Sequence, residues 1–212
     1  MRRLPIYLML DTSGSMMGEP IEALRTGVQN LISTLRQDPY ALETAYISVI
    51  TFSDNAEQIV PLTELSQFQA PQFNAGGTTE MGAALSLLAS CIDKEVTKTT
   101  ADTKGDWKPV IFLMTDGQPT DDVNKGMDAL RRAKYGTFVA CAAGPGAETS
   151  ALQKITESVV RLDTADSSTI KAFFKWVSAS ISTSSQKIES GKKEVAGLDD
   201  LPPPPPEVNI VV

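Results

Sequence analysis

The chain has 212 residues, enough for one α/β domain with a buried core plus a tail, and its 19 Lys and Arg against 26 Asp and Glu give a net charge of -7. That balance offers no basic field for a phosphate backbone and argues against nucleic acid as a partner. Histidine is absent, which excludes histidine triads, general bases and metal ligands together and leaves carboxylates, hydroxyls and backbone to carry any chemistry.

The run Leu4 to Leu10 reads as a buried strand, and it feeds Asp11-Thr12-Ser13-Gly14-Ser15, a loop with oxygen-bearing side chains at alternate positions. The start imitates a signal peptide, but Asp11 ends the apolar run and no small-residue cleavage site follows. With no stretch long enough to span a membrane, the expectation is a cytoplasmic protein with no membrane partner. Pro20 then opens a helix whose apolar face (Ile21, Leu24, Val28, Leu31, Ile32, Leu35) runs until Asp38-Pro39 stops it. Thr44 to Phe52 is the second strand, and Ala56 to Val60, ended by Pro61, suits an antiparallel edge strand.

A polar stretch leads to Gly76-Gly77-Thr78-Thr79 and a helix with Met81, Ala84, Leu85, Leu88 and Ile92 on one face. The strand Val110 to Thr115 ends in Asp116-Gly117, a helix closes near Lys134, and Thr137 to Ala142 is a further strand before Gly144-Pro145-Gly146. A short helix from Thr149, a weak strand Val159 to Leu162 and a helix carrying Ile170, Phe173, Phe174, Val177 and Ile181 complete the pattern. Such alternation predicts an α/β fold, a doubly wound and mostly parallel sheet with one antiparallel edge strand. Cys91 and Cys141 lack metal or redox spacing and read as core residues.

Composition shifts near Ser182, so the domain is assigned to residues 1–183 and a polar, proline-rich tail to 184–212. Pro202 to Pro206 form a polyproline rod. A mobile tail is the default expectation; the alternative is a docking peptide whose Val208, Ile210, Val211 and Val212 add an edge strand to this chain or to a partner.

Three loops leave the same edge of the expected sheet. The first offers Asp11, Ser13 and Ser15, the second Thr78 or Thr79, the third Asp116. Each has an ordinary structural explanation: an Asx turn and helix capping for the first, capping for the threonines, a turn Asp before Gly117 for the last. Together, Asp-x-Ser-x-Ser, a Gly-Gly-Thr turn and an apolar strand ending Thr-Asp-Gly resemble the metal-ion-dependent adhesion site of von Willebrand factor A domains, over nearly all of residues 4–183. The resemblance implies a Rossmann-like fold and metal ligands at Asp11, Ser13, Ser15, Thr79 and Asp116. Helix register favours Thr79, while the adjacent glycine turn favours Thr78. It further implies Mg²⁺, with Mn²⁺ and Ca²⁺ acceptable to the same oxygens, held with an open position that takes an acidic group from a protein partner, and no enzymatic activity.

The enzymatic rival is a phosphotransferase or phosphatase of haloacid dehalogenase type using Asp11, although the second acid of that chemistry is replaced by Ser13. Gly144-Pro145-Gly146 opens like a dinucleotide fingerprint, but Thr149 stands where the third glycine belongs. No P-loop is present, and the Ser-x-x-Lys run Ser184 to Lys187 lies in the segment assigned to the tail. Longer phrases, among them Arg2 to Met16, Gly18 to Ala23 and Leu35 to Ala45, resemble the TerY-type proteins of bacterial tellurium-resistance clusters. That implies a stand-alone module working with kinase-like and PP2C phosphatase-like partners in a stress response.

Overall fold

Eight successive buried residues, Leu4–Asp11, form β1, and burial on both faces is what a central parallel strand requires. The computed structural model describes residues 2–191 and 197–211. On one side β1 pairs in parallel with β2 (Ala45–Phe52), on the other with β4 (Val110–Thr115), and the parallel run continues through β5 (Thr137–Ala143) to β6 (Ser158–Leu162). The edges are antiparallel: β3 (Ala56–Glu64) beside β2 and the two-residue β7 (Asn209–Ile210) beside β6, giving the order β3-β2-β1-β4-β5-β6-β7.

The period of two along β1 sorts its side chains between two cores. Leu4, Ile6, Leu8 and Leu10 pack with α1 (Glu19–Leu35), α2 (Pro39–Thr44) and α6 (Ser167–Glu189). Tyr7 and Met9 pack with α3 (Met81–Glu95), α4 (Val123–Arg132) and α5 (Thr149–Gln153). The sheet is therefore doubly wound as expected, with the expected antiparallel edge at β3. Both cysteines are free and buried.

Four details differ from the sequence reading. Asp38-Pro39 starts a helix as well as stopping one, because the Asp38 carboxylate accepts from Tyr40 N at 2.9 Å and Ala41 N at 3.4 Å. β3 runs past Pro61 to Glu64, since the register slips between Val49↔Val60 and Ile47↔Thr63 and leaves Pro61 outside the regular pairing. The domain boundary expected at residue 183 falls inside α6, which continues to Glu189 with Ser184 and Ser185 buried. Ser184 Oγ donates to the Ser180 carbonyl at 2.8 Å while Lys187 Nζ donates to the Asp200 carbonyl at 2.6 Å, so the Ser-x-x-Lys pair is split between different partners.

The default expectation of a mobile tail is also overturned for residues 197–211. Leu201 and Val208 are buried, Trp176 Nε1 donates to the Pro202 carbonyl at 2.8 Å, and Val211 N donates to Val159 O at 2.9 Å. The docking alternative is the observed one, with this chain's own β6 as the acceptor. Val212 and residues 192–196 of the expected tail lie outside the described residues.

Candidate metal centre

Strand order reverses at β1 and β4: the chain leaves β1 outward to β2 and β3, then returns to the other side of β1. In open α/β sheets the carboxyl ends of the strands at such a reversal border a crevice. Asp11 closes β1 and Asp116 directly follows β4, so both carboxylates stand at this crevice.

The loops are fastened to one another by backbone. Gly14 N donates to Gly77 O and Gly76 N to Thr12 O, each at 2.9 Å, which ties the second loop to the first. Thr120 N donates to Thr79 O at 2.9 Å, and Thr79 N to Thr120 Oγ1 at 3.0 Å, which ties the third to the second. Gly77 has φ +80°, and a Cβ there would come within 2.6 Å of the Asp54 carboxylate, so glycine is needed on both counts.

Within this frame the side chains form a continuous set. Asp11 Oδ1 accepts from Ser13 N at 2.8 Å, and Asp11 Oδ2 from Thr115 Oγ1 at 2.5 Å. Ser13 Oγ lies 3.1 Å from Ser15 Oγ, and Ser15 Oγ donates to Asp116 Oδ1 at 2.6 Å. Beside Gly117, an added Cβ would lie 3.7 Å from Thr79 Oγ1 and 3.9 Å from Ser15 Oγ, so those two hydroxyls border the same small space.

The two threonines face different ways. Thr78 gives both its amide (2.8 Å) and its hydroxyl (3.0 Å) to Asp54 Oδ1, whereas Thr79 is buried with its hydroxyl near Gly117. Neither caps α3, whose first amides, Gly82 N and Ala83 N, donate to the Asp121 carboxylate at 2.8 Å each. The Asx turn at Asp11 is real, but the capping role is not: α1 begins at Glu19 after the N-cap Gly18, with no side-chain cap. Asp116 is likewise more than a turn residue, since its partner Ser15 lies on another loop.

Burial raises the Asp11 carboxyl above its ordinary pKa, hydrogen bonds from Ser13 and Thr115 oppose this, and the Asp116 charge adds to the rise. Asp116 is raised by burial as well, opposed by Ser15. Two carboxylates and three hydroxyls on converging loops are a hard-oxygen donor set, and their chemistry fits a divalent cation. Among the described residues no three His, Cys, Asp or Glu side chains converge in a way that could hold a metal, so any site here depends on its hydroxyls.

Sequence reading left out Thr115, Thr120, Asp54 and Asp121. Thr115 was visible only as the last strand residue before Asp116, and the others act across 24 to 41 residues of chain, which no local motif reveals.

The von Willebrand factor type A domain profile matches residues 6–176. The chain belongs to this family. No curated protein sequence matches it. Among solved structures, a von Willebrand factor type A protein from Catenulispora acidiphila is 19% identical with a TM-score of 0.65, covering 86% of this chain and 43% of its own. The pilus adhesin SpaC of Lactobacillus rhamnosus is 16% identical with a TM-score of 0.66, covering 86% and 30%. Proximal thread matrix protein 1 of the mussel byssus is 18% identical with a TM-score of 0.61, covering 84% and 48%. The A-domain chain thus spans less than half the length of each, and at these identities the likeness establishes the fold. The haloacid dehalogenase alternative finds no support in these matches. No helix among the described residues is long and apolar enough to cross a membrane.

Proposed function

We propose that this chain is a non-enzymatic, metal-dependent protein-interaction module, and the observation that carries the reading is the convergence of Asp11, Ser13, Ser15, Thr79 and Asp116 from three separate loops. These residues would hold Mg²⁺, or Mn²⁺ or Ca²⁺ in its place, and the bound ion supplies a Lewis-acidic position for a carboxylate or other acidic group of the partner. Three of the five donors are neutral, so the chain's own ligands leave much of a dication's charge unspent. Asp11 accepts from Ser13 N and Thr115 Oγ1, which orient it at the crevice, and Ser13 stands where haloacid dehalogenase chemistry needs its second acid. The TerY-like phrases support a finer assignment: a TerY-type protein in a bacterial tellurite or stress-resistance system with kinase-like and PP2C phosphatase-like partners.

Calorimetric titration with MgCl₂ and MnCl₂, then capture of partners from a host lysate with and without EDTA, tests the reading. Saturable binding lost in Asp11→Ala, and partners released by EDTA, are expected. Undiminished capture in EDTA overturns it.

A further inference from the structure

The loops at the carboxyl ends of the strands close into a ring around the crevice. Beyond the ties among the first three, Gly146 of the β5-α5 loop lies against the third, where an added Cβ would stand 3.1 Å from Asp116 O. Gly144 of the same loop lies against Ala165 of the β6-α6 loop, where an added Cβ would stand 3.4 Å away. Ser167 N donates to the Glu19 carboxylate at 2.9 Å and returns the ring to the first loop.

Charge on this ring is one-sided. Residues 11–19, 53–55, 76–80, 116–122, 144–148 and 163–166 hold ten of the chain's 26 Asp and Glu and none of its 19 Lys and Arg. The fold accounts for part of this, because helices start here and Asp121, Asp122 and Asp166 accept from amides in the first turns of α3, α4 and α6. A helix start offsets only about half a charge, and a dication formally cancels no more than Asp11 and Asp116. Glu148 and Asp163 are exposed and cap no helix with their side chains. Lys125 stands in the first turn of α4, while Arg25 is already paired with Glu22.

One apolar side chain interrupts this polar ring. Met17 is the most exposed large hydrophobic residue among those described, at 66%. Its backbone is fixed: Met17 N donates to Gly14 O at 3.2 Å, the preceding Met16 is fully buried, and Gly18, at φ +87°, turns the chain into α1. Met17 follows Ser15 by two positions, a reach of at most about 7 Å.

We infer that Met17 and the acidic ring form one docking surface around the crevice, resting on the metal-dependent reading, and that its occupant is a protein segment whose metal-bound carboxylate is flanked by Lys or Arg and by a large apolar side chain. A lone acidic group meets the ring as a like charge before it reaches the ion. Cations beside it reverse that repulsion and pair with exposed acids such as Glu148 and Asp163. The apolar neighbour takes Met17 out of water, and an unbranched thioether adapts to side chains of several shapes.

The probe is a displayed library of short linear peptides with a fixed central glutamate and randomised flanks, selected on the immobilised whole chain in MgCl₂ and eluted with EDTA. Eluted peptides enriched in Lys or Arg and in a large apolar residue are expected. The tightest of them, made synthetically, is expected to bind more weakly as NaCl rises, and about tenfold more weakly to Met17→Ser. That variant should keep the Mg²⁺ affinity of the unmodified chain. A Glu148→Gln, Asp163→Asn chain is expected to flatten the salt dependence. Eluted peptides without basic flanks, an affinity undiminished in Met17→Ser, or an unaltered salt dependence in the double variant overturns the inference. Magnesium titration of the unmodified chain separates the two readings: a chain that binds the ion but yields no such peptide overturns the docking surface alone, and one that binds no ion overturns the metal site with it.

Discussion

Thr115 Oγ1 donates to Asp11 Oδ2 at 2.5 Å, joining the ends of two neighbouring parallel strands through the one carboxylate that is completely buried in the crevice. Together with Ser13 N on Oδ1, the bond fixes the orientation of the carboxylate while each oxygen keeps a further lone pair. Groups that orient a ligand in this way commonly matter about 10- to 100-fold in metal affinity. Thr115→Val keeps the shape and removes the donor, so magnesium affinity by calorimetry is expected to fall about 10-fold, with Thr115→Ser restoring most of it. An unchanged affinity in Thr115→Val removes Thr115 from the site.

The adjacent threonines give an internal control. Thr79 places its hydroxyl near Gly117, bordering the space that Ser15 Oγ also borders, while Thr78 spends both amide and hydroxyl on Asp54. Thr79→Ala is expected to weaken Mg²⁺ binding about tenfold, the effect of losing roughly 1.4 kcal/mol. Thr78→Ala is expected to leave it within about twofold, since Asp54 still accepts the residue 78 amide. Equal effects from the two would mean that Thr78 takes part.

How much of this was legible in the sequence follows from how local each cause is. β1 announces itself because a buried parallel strand is one apolar run, and Asp11, Ser13 and Ser15 are legible because one loop holds them all. What distinguishes Thr78 from Thr79 is not local: Asp54, 24 residues before Thr78, claims its amide. The seating of the C-terminal segment was hidden for a similar reason. Five prolines specify a rod, but where the rod lies depends on Trp176 and on buried pockets for Leu201 and Val208. The end of α6 looks hydrophilic because serine is polar, yet small hydroxyl side chains bury readily when they bond back along the helix, as Ser184 does to Ser180.

Cation binding should register as stability. A ligand that binds only the folded state adds about 2.7 kcal/mol at 100 times its Kd, and for a domain of this size that raises Tm by roughly 5–10 °C. Thermal unfolding in saturating Mg²⁺ against EDTA is expected to show this rise for the unmodified chain and none for Asp11→Asn. A rise that survives in Asp11→Asn would place the ion elsewhere.

At the opposite end of the sheet, Asp106 binds Arg3 through both oxygens, at 2.9 and 2.6 Å, and accepts from Thr97 N at 2.7 Å. Burial alone would raise its pKa, but Arg3 and Thr97 outweigh burial and hold it below the ordinary value. An acid lowered on folding stabilises the fold above its unfolded pKa and loses that contribution as pH falls through the folded one. Asp106→Asn is expected to cost about 2 kcal/mol at pH 7, and the gap from the unmodified chain should narrow below about pH 4. Urea unfolding at pH 7 and pH 3 checks both; a gap that does not change with pH would assign the effect to packing.

The α1-α6 contact rests on a missing side chain. At Gly27 a Cβ would come 2.3 Å from Cδ2 of Phe174, a buried ring that also meets Phe173 edge-on at 5.7 Å between centroids. Helical propensity alone predicts that alanine at an interior glycine stabilises by up to about 1 kcal/mol. Overpacking a dense core costs about 1–3 kcal/mol and outweighs it. Gly27→Ala is therefore expected to destabilise the chain, and Phe174→Leu to recover part of the loss when combined with it, because the two changes relieve each other. A double-mutant cycle by chemical denaturation measures the coupling: a favourable interaction free energy places the conflict between these two residues, whereas simple additivity would mean that the helices separate and leave Phe174 where it is.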